Sequence, residues 1–200
     1  CMFFIPPVTF AGNMKLHYDR PAEYFEEALV IGNGTMGATL YGGVKKDKIS
    51  FNDITLWTAE PESENSSPDA FNTIPEIRAL LDNEDYQGAD KAQYKVQGHY
   101  SENYQPLGTL TIEYLDDTAG ISDYHRWLDI GNATARTQYL KDGELFTSDY
   151  FASAPDSVIV IRLKSENKEG IHALLSFDSP LPHSSQVADN EISVEGYAAY

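Results

Sequence analysis

Residues 30–57 read VIGNGTMGATLYGGVKKDKISFNDITLW, and the reading of the glycines in this stretch decides the fold. Gly32, Gly34 and Gly37 stand in the G-x-G-x-x-G spacing that can cradle a dinucleotide pyrophosphate. That fingerprint must follow a buried strand and open a helix, so that the helix N-terminus meets the phosphates. Here the preceding residues 23–29 are acidic and helix-prone, and the residues after Gly37 alternate like a strand before turning at Gly42-Gly43. Asp53 lies at a suitable distance for a ribose ligand, but inside a second strand-like run. The context therefore predicts a β-hairpin whose glycines let the backbone turn tightly, not a nucleotide cradle.

Working outward, residues 39–44 and 48–57 read as two strands joined by the charged turn Lys45-Lys46-Asp47. Upstream, residues 14–18 alternate as a first strand. Residues 21–29 read as a short helix or turn, with Pro21 suited to a first helical position and Glu23 to the first turn. Downstream, residues 59–71 are rich in Pro, Glu, Ser and Asn and read as a loop. Ile74, Ile77, Leu80 and Leu81 then fall at helical spacing, with Thr73 as N-cap, Pro75 near the first position and Glu76 at the capping-box place. A second helix over 86–96 completes a helical hairpin. From Leu107 on the chain is nearly all strand, over 107–115, 124–130, 134–140, 144–152, 157–164 and 172–178, and another strand begins at Ile192. Turn signals such as Gly131-Asn132, Lys141-Asp142-Gly143 and Pro155-Asp156 separate these runs. The fold class expected is mainly β, an antiparallel β-sandwich with an inserted helical hairpin.

The chain has 200 residues and a formal net charge of −17, with 31 acidic residues against 14 basic ones. Nucleic acid and anionic membrane surfaces are repelled by such a field, so neither is expected as a partner, whereas a neutral sugar is compatible with it. The 13 tyrosines and 9 phenylalanines favour strands over helix bundles. Cys1 is the single cysteine, so no internal disulfide and no cysteine-based zinc cluster can form. The five histidines (His17, His99, His125, His172, His183) show no H-x-x-x-H or H-E-x-x-H spacing, and neither a metal nor a cofactor is implied. Residues 1–11, CMFFIPPVTFA, are apolar and end in Thr9-Phe10-Ala11, which resembles the tail of a secretory signal peptide. Export to a periplasm or to the outside of the cell is therefore expected, with residues 12–200 as the mature part. The alternative is an apolar N-terminal strand, which Pro6-Pro7 disfavours.

From Met14 the chain resembles the opening of glycoside hydrolase family 95, the bacterial and plant α-L-fucosidases. The residues that carry the likeness are Tyr18-Asp19-Arg20-Pro21-Ala22, Glu27-Ala28-Leu29, Ile31-Gly32-Asn33-Gly34, Gly37-Ala38 and Asn52-Asp53-Ile54-Thr55-Leu56-Trp57. Tyr104-Gln105-Pro106-Leu107-Gly108, Tyr124-His125-Arg126-Trp127-Leu128-Asp129, Phe151-Ala152-Ser153 and Asp178-Ser179-Pro180-Leu181 continue it in order. Phe25, Val30 and Ile54 depart from the family pattern. The resemblance implies an N-terminal β-sandwich domain, cut short at its C-terminal side, whose partner is an α/α-barrel catalytic domain of the same parent chain. It also implies a fucosylated oligosaccharide, or an α-L-galactoside, as substrate, hydrolysed with inversion. Inversion needs two groups on opposite sides of the anomeric carbon. Glu26-Glu27 and Asp116-Asp117 are adjacent pairs suited to solvated helix and turn charges, so no catalytic residue is expected within these 200. A freestanding carbohydrate-binding module is the rival reading.

Candidates for contact with sugar or barrel are Asn52, Asp53, Thr55 and Trp57, with Tyr104 and Gln105 as a second group. On a continuous strand Asp53, Thr55 and Trp57 share one face, so that an indole stacks on a sugar ring while Thr and Asp bond its hydroxyls. The competing reading puts Trp57 in the sandwich core, and reads Tyr104-Gln105-Pro106 as a strand entry. Trp127 and Tyr124 are expected in the core, and His99 and His125 at the surface or across strands. Asn33, Asn65 and Asn132 each open an N-glycosylation pattern.

Overall fold

The computed structural model describes residues 14–58, 69–98 and 102–198. The stretch 1–11 read as a signal-peptide remnant, His99 and the Asn65 glycosylation pattern lie outside them. The chain divides into two compact units, one running to residue 56 and resuming at 105, the other covering 57–104.

The first unit is built from β1 (Lys15–Tyr18), β2 (Leu29–Gly32), β3 (Met36–Leu40), β4 (Lys46–Asp53), β5 (Gly108–Tyr114), β6 (Ile121–Asp129), β7 (Thr134–Lys141), β8 (Glu144–Ser153), β9 (Val158–Ser165), β10 (Ala173–Asp178), β11 (His183–Ala188) and β12 (Glu191–Gly196). One five-stranded sheet runs β1-β6-β7-β8-β9, a second runs β10-β5-β4-β3-β2, and β11 and β12 form a separate hairpin. The ladders are antiparallel, as expected from the short turns between strands. β2 lies across β6, β7 and β8 while β3 faces β9, so the two sheets stack as a sandwich. Alternation does the sorting: Leu29 and Ile31, Ala38 and Leu40, and Ile49 point inward and meet Ala135 and Tyr150 of the facing sheet. Each fully buried Leu or Ile stabilises this core by about 1.5–3 kcal/mol.

The G-x-G-x-x-G stretch is the β2–β3 hairpin, with Gly32 paired to Gly37. No helix follows it; Asn33 organises the turn instead. Its Oδ1 accepts from Thr35 N (3.0 Å), Thr35 Oγ1 (3.0 Å) and Met36 N (2.8 Å), and its Nδ2 donates to the Ser153 carbonyl at the end of β8. Gly34 takes a φ of +97°, which a side chain rarely tolerates.

Several boundaries differ from those read in the sequence. Residues 21–29 yield only a 3-10 turn at Phe25–Glu27 before β2 begins at Leu29. β3 ends at Leu40 and β4 starts at Lys46, so the turn lies at 41–45. Asp47, read as a turn charge, is buried within β4 (1% exposed). Its Oδ2 accepts from the Tyr150 hydroxyl at 2.7 Å and its Oδ1 from Gly43 N at 2.9 Å, and burial pushes its carboxyl above the usual carboxylate range. Arg126, also buried, donates from Nε to the Arg20 carbonyl and from Nη1 to the Glu27 carbonyl, both at 2.8 Å, and lies 4.1 Å from the Tyr18 ring. Trp127 is only half-buried, with Lys15 and Arg136 near its ring, so it is not a core residue. Tyr124 is half-buried and donates its hydroxyl to the Gly42 carbonyl at 2.7 Å.

The second unit is the expected helical hairpin, α1 (Ala70–Asp82) and α2 (Tyr86–Gln93). α1 starts a turn earlier than the capping pattern predicts, so Ala70 and Phe71 are helical rather than loop. Thr73 is therefore inside the helix, buried, with its hydroxyl donating back to the Asp69 carbonyl at 3.0 Å, and Pro75 is an interior proline. α2 stops at Gln93, short of Val96, and is capped by Asp85, whose Oδ1 accepts from Gly88 N.

Candidate functional site

β4 ends at Asp53 because that side chain builds a turn. Its Oδ1 accepts from Thr55 N at 2.9 Å and Thr55 Oγ1 at 2.6 Å, and its carbonyl accepts from Leu56 N at 3.1 Å. These bonds from Thr55 hold the Asp53 carboxyl below its ordinary value. The expected single strand face carrying Asp53, Thr55 and Trp57 therefore does not exist; the chain turns at Ile54-Thr55, and the alternation stops there. Asp53 and Thr55 bond each other. Asn52 is exposed on β4, its Oδ1 3.4 Å from Leu107 N. Gln105 donates its backbone N–H to the Leu56 carbonyl at 2.9 Å and serves as strand entry.

In the second unit, Trp57 and Tyr104 form an isolated antiparallel bridge. Their ring centroids lie 5.3 Å apart with planes inclined by 57°. Trp57 is 49% exposed, which excludes the reading that placed it in the sandwich core, and Tyr104 is 42% exposed. Beside them Thr58 is buried, donating its hydroxyl to Glu102 Oε2 at 2.6 Å and accepting from Asn103 N at 3.0 Å. A half-exposed aromatic pair with a hydroxyl–carboxylate pair at its flank is chemistry suited to a sugar: apolar surface for the ring C–H groups and acceptors for hydroxyls. Thr58 and Glu102 were not legible as part of this group. They lie 44 residues apart, and the pairing of residues 57 and 58 with 103 and 104 brings them together.

The carboxylate pairs stay apart from any such chemistry. Glu27 accepts from Glu23 N, which chiefly holds its carboxyl down, and from Arg20, and Glu26 is exposed. Asp117 is exposed and accepts from Lys141 Nζ at 2.9 Å, and Asp116 is exposed. His125 packs against His17 across β1 and β6, with centroids 5.2 Å apart. Among the described residues no three His, Cys, Asp or Glu side chains are grouped to hold a metal ion.

Residues 16–199 match the family model described as glycosyl hydrolase family 65, N-terminal domain. Among curated proteins, alpha-L-fucosidase 2 of Arabidopsis thaliana is 32% identical over 187 residues, covering 92% of this chain and 22% of the relative. "Probable alpha-fucosidase A" of Aspergillus niger is 27% identical over 178 residues, covering 84% of this chain and 21% of the relative. The chain thus spans about a fifth of the length of these relatives. The likeness to the family 95 α-L-fucosidases, carried above by motifs alone, agrees with both findings.

Proposed function

Since the chain belongs to the family of glycosyl hydrolase family 65 N-terminal domains, we propose that it is the non-catalytic N-terminal sandwich of a secreted α-L-fucosidase-type glycoside hydrolase. Its role is to support an α/α-barrel of the same parent chain, which removes α-linked L-fucose from fucosylated glycans by inversion. The observation that carries this reading is the 32% identity over 92% of the chain to a plant alpha-L-fucosidase. Three of the described carboxylates are consistent with a supporting role: Asp53 builds a turn, Asp117 pairs with Lys141 at the surface and Asp47 holds a buried strand position. Trp57 and Tyr104 in one unit, and Asn52 and Gln105 in the other, are each assigned to sugar or barrel contact, while Asp53 and Thr55 shape the turn that ends β4.

The test is to extend the reading frame past Tyr200, express the longer polypeptide and follow hydrolysis of a fucosylated oligosaccharide by proton NMR. Release of L-fucose with the anomeric configuration inverted at first appearance is the expected result. Glycan binding without release would instead favour a freestanding carbohydrate-binding module. Faster release of L-galactose than of L-fucose would move the substrate class to α-L-galactosides.

A further inference from the structure

On β8 the buried residues Phe146, Ser148 and Tyr150 face the core, so alternation turns Leu145, Thr147 and Asp149 to the outer face of that sheet. The register then sets a polar row straight across the five strands. His17 stands opposite Trp127, Trp127 opposite Arg136, Arg136 opposite Asp149, and Asp149 opposite Arg162. In the next row Thr147 stands opposite Lys164. Three cations thus gather on β7 and β9 around Asp149, in a chain whose acids outnumber its bases 31 to 14. Arg136 is held on two sides. Its Nε donates to Asp149 Oδ1, and its guanidinium carbon lies 5.8 Å from the Trp127 ring centroid. Among the described residues its two terminal nitrogens have no hydrogen-bond partner, and Arg162 and Lys164, both exposed, form no ion pair. Arg136, Thr147 and Lys164 line an open cavity of about 540 Å³, together with Glu166, Leu145 and Leu163.

We propose that this face binds an acidic sugar, a glycan unit carrying one carboxylate. A guanidinium already fixed by a carboxylate and an indole loses little freedom on binding, and its two terminal nitrogens match a ligand carboxylate in the bidentate manner. Lys164 adds a second positive charge from β9. Thr147 and Glu166 offer bonds to ring hydroxyls, and Leu145 offers apolar surface to the ring C–H groups. The net charge of −17 does not oppose this. Charges farther away than the Debye length, about 8 Å at physiological salt, are largely screened, so the cations nearest the ligand decide. The same field disfavours a long polyuronate, which is why the ligand is a glycan with an isolated acidic unit. The site shares no residue with the Trp57–Tyr104 group. That the anion is a sugar rests on the glycoside hydrolase reading; the cationic face itself does not.

The experiment is calorimetric titration of the longer polypeptide with two probes, fucose release being followed on the same preparation. One probe is a disaccharide of glucuronate and xylose; the other is its neutral counterpart, with glucose in place of glucuronate. The acidic disaccharide is expected to bind at least about 10-fold more tightly, the loss that one missing charge-assisted bond brings. Added salt should narrow that gap. Lys164→Gln removes an exposed, unpaired charge, should leave the melting temperature unchanged, and should weaken binding of the acidic disaccharide several-fold. Arg136→Gln should weaken it by about 10-fold or more. Equal binding of the two disaccharides, no binding of the acidic one, or a Kd untouched by both substitutions overturns the proposal. Acetate binding as tightly as the acidic disaccharide also overturns it, since the face would then take any small anion. Fucose release without acidic-sugar binding leaves the hydrolase reading standing alone. Acidic-sugar binding without release keeps this site and sinks the hydrolase reading.

Discussion

The guanidinium of Arg126 lies beneath the irregular segment between β1 and β2, holding two of its carbonyls, those of Arg20 and Glu27, to the β6 strand. The side chain is 1% exposed, so the charged donor itself is shielded from water. Arg126→Met should therefore cost about 3 kcal/mol, since hydrogen bonds to a charged donor are worth roughly 1.5–3 kcal/mol each and both are lost. Urea unfolding of the two proteins measures it, and a change below about 1 kcal/mol would show that the segment is held by other contacts. Asp47 offers a test of sign. Burial raises its carboxyl in the folded state, so the folded chain holds a proton that the unfolded chain releases. Its contribution is thus full below the ordinary carboxylate value and is lost as pH rises through the raised one. Asp47→Asn cannot titrate, so the melting temperature of the wild type relative to this variant should fall as pH climbs from about 4 toward neutrality. A difference independent of pH would mean that the bonds from Tyr150 and Gly43 cancel the burial.

At the scale of elements, the turns are where the fold is most sharply specified. Gly42 has a φ of +70°, and a Cβ there would sit 2.6 Å from Tyr124 Oη and 2.8 Å from Thr137 Oγ1. Gly42→Ala should destabilise the sandwich by roughly 1–3 kcal/mol from backbone strain alone, more with the clash, read out as a lower denaturation midpoint at unchanged slope. In the helical unit Pro75 has no N–H to close the first turns of α1. Pro75→Ala should raise helical content and stabilise the unit by up to about 3 kcal/mol. If α1 instead began at Thr73, as the capping pattern suggests, the proline would be near the helix start and the substitution neutral or harmful. These two sites also show what was legible beforehand. The long β7 and β8 strands and the β2–β3 hairpin were readable because alternation and glycine spacing are local signals. Strand β2 was hidden by the acidic residues before it, and the interruption of β4 by a carboxylate that bonds its own backbone two residues on. Asp47 and Arg126 could not be placed at all from local pattern: a charge is expected outside, and only partners 103 and roughly 100 residues away make these two buried. The same limit hid Thr58 and Glu102 beside Trp57.

For the whole molecule, the half-exposed pair of Trp57 and Tyr104 is the feature whose role an experiment can decide. An indole left about half exposed, in contact with a tyrosine, retains apolar surface that neither ring covers for the other. If that surface meets the barrel or the sugar in the longer enzyme, Trp57→Ala removes a contact worth on the order of 1–3 kcal/mol. Converted to rate, that is a fall in kcat/KM of roughly 5- to 150-fold, beyond any effect on the folded fraction. If Trp57 only props up Tyr104 and the Thr58–Glu102 pair, the same substitution lowers the melting temperature and leaves kcat/KM per folded molecule unchanged. Trp57→Phe separates the two further: a smaller ring keeps the bridge to Tyr104 and should restore the melting temperature, while recovering only part of the activity if the lost area is substrate-facing. Activity and thermal unfolding measured on both variants decide between contact and scaffold, because only the contact role makes the two readouts diverge.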